Sequence, residues 1–142
     1  MFLPTIIKTL CKQLGYNHLN RYLLGMIFSW ILIAHWIGDF AFQTSKMALG
    51  KSEEIKWLFV HVIVYTITLA TFSLFLFSIK TTIAYVLINS FLHGFTDFFT
   101  SKLTSRYREN PRIFFPLLGL DQLIHTITLY ATYLHIEKIL LW

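Results

Sequence analysis

Four apolar runs dominate the chain, at about residues 22–42, 57–79, 82–100 and 113–136, with short polar stretches between them. Roughly 20 apolar residues in helical form cross the hydrocarbon core of a bilayer, so each run predicts a membrane-spanning helix. Each is interrupted by a few polar residues, which a helix in lipid has to bury against its neighbours. Ahead of the first run, Leu3, Ile6, Ile7, Leu10 and Leu14 recur at helical spacing with Lys8, Lys12 and Gln13 opposite. That pattern predicts a short amphipathic helix within residues 1–21, lying on the membrane surface ahead of a transmembrane domain over 22–142. A basic stretch followed by a small-residue cleavage site, as in a signal peptide, is not evident there.

The connections set the expected architecture. Residues 43–56 join the first two helices, Ile79-Lys80-Thr81 reads as a tight turn between the second and third, and residues 101–112 join the last two, with Pro111 expected as a stop before the fourth. Short links make sequential helices antiparallel. The expected fold is therefore all-α: an integral membrane four-helix up-down bundle made of two helical hairpins. Similar motifs one hairpin apart, His35-x-x-x-Asp39-Phe40 and His93-x-x-x-Asp97-Phe98, suggest an internal repeat about an axis along the membrane normal.

Composition agrees with a membrane protein. Of 142 residues, 56% are hydrophobic and 13% charged, against about 25% charged in soluble domains. The lone Cys11 excludes an intrachain disulfide and a CxxC metal knuckle. The net charge of +5 does not point to nucleic acid, because the basic residues sit at membrane flanks with no aromatic-interleaved groove. Lys46, Lys51, Lys56, Lys102, Arg106, Arg108 and Arg112 fall in the two longer loops, and the positive-inside bias places those loops in the cytoplasm.

The candidate chemistry lies inside the apolar runs. On a helix, residues four apart share a face, so His35 and Asp39, His93 and Asp97, and Asp121 and His125 form three imidazole–carboxylate pairs, with His61 on the remaining helix. In an up-down bundle all seven fall on the side of the longer loops and form one site. Imidazoles and carboxylates suit a divalent metal, zinc first, with iron or manganese as alternatives. The expected ligands are His35, His61, His93, Asp121 and His125, with Asp39 and Asp97 as carboxylates for acid–base work. Two ions, or one ion with a carboxylate orienting a histidine from behind, both fit this set. Gln43, Lys46, Asn89 and Lys102 are the candidates for holding substrate. Gln122 points about 100° from Asp121 and reads as a hydrogen bonder between helices. Gly38, Gly94 and Gly119 are expected to let helices approach closely. The plainer alternative has each histidine bonding its own aspartate without a metal.

The string HWIGDFAFQTSKMALGK, the helix with His61, His93-x-x-x-Asp97-x-x-x-x-Lys102 and Asp121-Gln122-x-x-His125 together resemble a family of small bacterial and phage membrane proteins catalogued as domain of unknown function 3307. The resemblance covers roughly residues 30–128, with 1–21 as an extension ahead of it. It implies a compact membrane bundle, a bacterial inner-membrane location, and a common site for His35, Asp39, Gln43, His61, His93, Asp97, Lys102, Asp121, Gln122 and His125. It supplies no activity.

Three functions compete. The leading one is a membrane-embedded metallohydrolase acting on an anionic lipid or phosphate-bearing substrate recruited by the basic loops. The second is a divalent-cation or proton transporter or channel, which needs polar residues continuing to the far side, where Ile67, Leu69, Phe72, Leu74 and Phe75 are apolar. The third is a non-catalytic membrane partner whose polar or metal site only fixes the bundle. Membrane lipids are the expected partners, nucleic acid is not, and the sequence leaves homo-oligomerisation open.

Overall fold

The structure, a computed structural model, describes residues 16–139, with side chains over residues 22–136. Every regular element among them is helical. Helix α1 (Tyr16–Trp36) runs directly into one π-helical turn (Ile37–Ala41), and α2 (Ser45–Gly50) is a short helix in the first long connection. Then come α3 (Ile55–Leu76), α4 (Ile79–Arg106) and α5 (Pro111–Ile139). The amphipathic helix expected over 1–21 lies mostly outside the described residues.

Local chemistry explains where the boundaries depart from expectation. The α3–α4 turn falls at Phe77 and Ser78, two residues early, because the Ser78 hydroxyl accepts the Thr81 N–H and caps α4. Pro111 opens α5 rather than stopping the chain before it, since a first-turn residue has no helical N–H bond to lose. The unexpected α2 is capped by Thr44, whose hydroxyl accepts the Met47 N–H at 3.3 Å while Met47 buries its side chain. Helix α4 continues to Arg106, well past the apolar run that marked it.

Among the described residues, three helices carry stretches long and apolar enough to cross a membrane: Tyr22–Ala41, Ile55–Leu76 and Pro111–Ile136. Helix α4, the expected third span, is not among them because Thr82, Asn89, Ser90, His93, Thr96, Asp97 and Ser101 dilute its hydropathy. All of these are buried. Its opposite face carries Ile83, Leu87, Phe91, Phe95 and Phe99 in an exposed row four residues apart. The helix is polar towards its neighbours and apolar outwards.

Helix α1 packs on α3, α3 on α4, α4 on α5, and α5 returns to α1, closing a ring of four. One end of the interior is an apolar core of Ile31, Ala34, Tyr65, Leu69, Tyr85, Val86, Leu129 and Ile136. There the Tyr85 hydroxyl donates to the Leu129 carbonyl at 3.1 Å, satisfying the one polar atom of that buried ring. Two of the three glycines behave as expected. A Cβ on Gly38 would stand 3.2–3.3 Å from Tyr65 and Thr68, and one on Gly94 would stand 3.1 Å from Val62. Gly119 is the exception, with open space around it, because it faces outwards.

Candidate functional site

Each ring helix supplies its part of the site from a position fixed by the packing above. His35 and Asp39 come from the end of α1, His61 from the first turns of α3, His93 and Asp97 from the second half of α4, and Asp121, Gln122 and His125 from α5. All three aspartates and all four histidines are buried, and the structure brings the seven together. The π-helical turn carries Asp39. Its wider geometry, with Gly38 seated against Tyr65, delivers the Asp39 carboxylate to His61 and leaves it 3.9 Å from its own His35. Single π turns of this kind recur at functional sites.

Four groups converge first. His61 Nε2 lies 3.1 Å from Asp39 Oδ1, 3.1 Å from Asp97 Oδ2 and 3.0 Å from His93 Nε2. His93 Nε2 stands 3.7 Å from the same two carboxylate oxygens. A second group joins Asp39 and Asp121 to His125, whose Nε2 is 3.4 Å from Asp121 Oδ1 and 3.3 Å from Asp97 Oδ1. Within each group, Asp39–His61–His93–Asp97 and Asp39–Asp121–His125, one ligand atom per residue lies within 4.8 Å of all the others. Both groups could hold a metal ion, and they share Asp39.

A hydrogen-bond shell orients these groups. Gln122 Nε2 donates to Asp39 Oδ2 at 2.7 Å and to Asp121 Oδ2 at 3.0 Å, while its Oε1 accepts from His35 Nε2 at 3.2 Å. An amide oxygen only accepts, so this pair puts a proton on His35 Nε2 and removes that nitrogen as a metal ligand. His35, expected among the ligands, belongs to neither group. The Thr100 hydroxyl donates to Asp121 Oδ1 at 2.5 Å, and Tyr65 stacks on His93 with ring centroids 3.8 Å apart. His61 and His93 turn Nε2 to the cluster and leave Nδ1 buried without a partner among the described residues.

One cation enters from outside the long helices. Lys51 Nζ donates to Asp97 Oδ2 at 2.8 Å. Burial works to lower the lysine pKa, but the Asp97 and Asp39 carboxylates outweigh it and hold it above the ordinary lysine value. Three carboxylates against one ammonium leave two negative charges to be balanced when the imidazoles are neutral. Uncompensated buried charge is costly, and a divalent cation or two imidazolium protons would balance it.

A cavity of about 210 Å³ opens above the second group, lined by Asp39, Gln43, Lys51, Ser101, Asp121 and Gln122 among others. Of the residues expected to hold substrate, Gln43 lines it and donates to the Asp39 carbonyl at 2.6 Å. Asn89 is buried one turn below His93 and bonds the Tyr85 carbonyl. Lys46 is exposed on a separate shallow groove, and Lys102 is exposed with its ammonium 3.5 Å over the Phe98 ring. Lys102 follows Ser101 by one residue and so leaves the cavity face by about 100°.

Spacing alone missed four participants. Tyr65 and Thr100 carried a readable signal, each one helical turn from a motif residue. Spacing read Gln122 only as a bridge between helices, and it was the family resemblance that put it in the site. Lys51 carried no periodic signal, because it sits in a connection.

The chain belongs to a family described as protein of unknown function (DUF3307), whose profile matches residues 27–141. No curated protein and no solved structure matches it.

Proposed function

We propose that this is an integral membrane metallohydrolase, with the four long helices as an up-down bundle of two hairpins spanning the membrane over 22–142 and the long connections on the cytoplasmic side of a bacterial inner membrane. The exposed apolar row on α4 supports a fourth crossing: a helix polar inwards and apolar outwards suits lipid, even where its mean hydropathy is modest. The substrate is an anionic lipid or phosphate-bearing molecule, and zinc leads iron and manganese as the metal.

The observation that carries the reading is the difference between the two ligand groups. The deep one offers four protein ligands, the number that closes a structural site, whereas the second offers three, as catalytic sites do when they keep a position for water. Two residues of the three-ligand group, Asp39 and Asp121, line the cavity. A divalent ion there supplies Lewis acidity and lowers the pKa of a bound water to about 7. Asp39 borders that space and Asp97 does not, so of the two carboxylates Asp39 would be the one placed to take a proton from water there, with Gln122 orienting it. Asp97 holds the deep group together with Lys51. Lys46 and Lys102, exposed beside the mouth-bearing connections, meet lipid headgroups.

A transport path finds less support. Beyond Asn89 the interior is closed by Ala34, Leu69 and Tyr85, each with no measurable exposure.

The test is elemental analysis of detergent-purified protein beside His93→Ala and His125→Ala, followed by phosphoester hydrolysis. Two equivalents of metal, with one lost in each variant and turnover lost with His125, is the expected result. A folded protein without metal overturns the reading.

A further inference from the structure

Above the buried groups, α4 continues as a polar ladder. His93, Asp97, Ser101 and Ser105 follow one another at four-residue steps, and Arg108 comes from the turn just beyond the helix end at Arg106. Ser101, Ser105 and Arg108 line the cavity with Lys51, which enters from the opposite connection. Two features separate this from a surface scatter of charge. Ser101 is 6% exposed, and its hydroxyl has no hydrogen-bond partner among the described residues. Lys51 uses one ammonium direction on Asp97 and borders the cavity with the rest. By contrast, the Thr104 hydroxyl is committed to backbone carbonyls and the Ser52 hydroxyl to the Leu49 carbonyl, so neither has a proton to offer.

We infer that this cavity is a phosphoryl-binding site, in which Lys51 and Arg108 take the charge of a phosphate ester and the Ser101 and Ser105 hydroxyls donate to its remaining oxygens. The chemistry favours a tetrahedral dianion over a carboxylate. The donors stand on two walls and comprise two cations and two hydroxyls, whereas a planar carboxylate is satisfied by one bidentate guanidinium. Leu49, Phe114 and Leu118 form an apolar margin of the same cavity, suited to the carbon side of the ester. The site deepens the hydrolase reading and rests on it for what happens after binding. Asp39 and Asp121 border the same cavity, and their charge weakens binding to metal-free protein without removing these four donors.

The experiment measures binding of inorganic phosphate by titration calorimetry to detergent-solubilised full-length protein, stripped of metal by chelator and again after reloading with zinc. Metal content is measured on the same samples. Saturable binding to the stripped protein is expected, weakened about tenfold or more in Arg108→Gln and about threefold to tenfold in Ser101→Ala. Lys80→Gln, at the other end of α4, should leave it unchanged. Arg108 is exposed, so its variant tests the site even if Lys51→Met fails to fold. Three results overturn the inference: no saturable binding in either state, binding indifferent to both Arg108→Gln and Ser101→Ala, or displacement by acetate as readily as by phosphate. Where the second of these comes with a requirement for zinc, the metal centre is left standing. Phosphate binding by a protein that takes up no metal does the reverse, supporting the site while removing the hydrolase. Displacement by nanodiscs of phosphatidic acid, but not phosphatidylcholine, would assign the phosphoryl group to a lipid. Displacement by glycerol 3-phosphate alone would assign it to a soluble ester.

Discussion

Lys51 and Asp97 meet at 2.8 Å across 46 residues of chain, joining the connection after α2 to a carboxylate in the interior of α4. The aspartate side chain is 1% exposed and the lysine 13%. Removing one member of a buried pair strands the other, at a cost of about 3–5 kcal/mol. Lys51→Met should therefore lower the melting temperature of metal-free protein clearly, and saturating zinc should restore most of the loss, because a divalent ion takes over the neutralisation of Asp97. A loss that zinc does not repair would assign Lys51 a packing role unrelated to the centre.

The approach of Lys51 depends on Gly50. A Cβ there would fall 2.5 and 2.8 Å from atoms of the Trp57 ring, closer than real contacts allow. Gly50→Ala should reproduce the melting behaviour of Lys51→Met in weaker form, and Trp57→Leu should repair it in the double variant by removing the obstructing ring. Additive losses would show that the two positions act independently.

His35 and His93 should separate in a metal assay. His93→Ala removes a ligand atom of the deep group and should cost one equivalent of metal. His35→Ala removes the partner of Gln122 and no atom of either ligand group, so stoichiometry should hold while affinity falls about 10–100-fold, the usual effect of losing a group that orients a ligand. A lost equivalent in His35→Ala would return it to the ligand set expected from its spacing.

Tyr65 lies flat on His93, with the ring planes within 4°, so the contact is one of ring faces and does not involve the phenol hydroxyl. Tyr65→Phe should keep metal content and stability within about 1 kcal/mol. Tyr65→Ala should cost about 3–5 kcal/mol by opening a cavity beneath the centre. Thermal melts with and without zinc distinguish the two, since only the second loosens His93.

These contrasts also mark what the sequence could convey. Imidazoles and carboxylates inside apolar runs stand out because such positions are rarely polar by accident, and helical period then places them on one face. His61, His93, Asp97, Asp121 and His125 were legible for that reason. Period says nothing of a connection's path, which hid Lys51 and the helix α2 before it. It also assumes 3.6 residues per turn, which fails at the π turn that carries Asp39. Gln122 shows a different limit: its backbone direction leads away from Asp121, but three side-chain torsions let the amide return to it and reach Asp39 as well. Helix α4 was legible from length and spacing, while its hydropathy is lowered by the very residues that make the site, so that it is not among the three helices apolar enough to cross a membrane.

Asp39 is the residue on which both ligand groups converge. Its Oδ1 faces His61 at 3.1 Å and its Oδ2 receives Gln122 at 2.7 Å. If two ions bind, substitutions should sort by geometry rather than by residue type. His61→Ala should empty the deep group and His125→Ala the group at the cavity floor, one equivalent each. Asp39→Asn keeps the shape but loses the charge that both groups use, and should lower occupancy of both together. Elemental analysis of the three variants at one zinc concentration reads this directly. Loss of a single equivalent in Asp39→Asn would mean that the carboxylate serves one ion only. A single equivalent in the unsubstituted protein, lost with His125 but not with His61, would place the one ion at the cavity floor and leave the deep group to the Lys51–Asp97 pair.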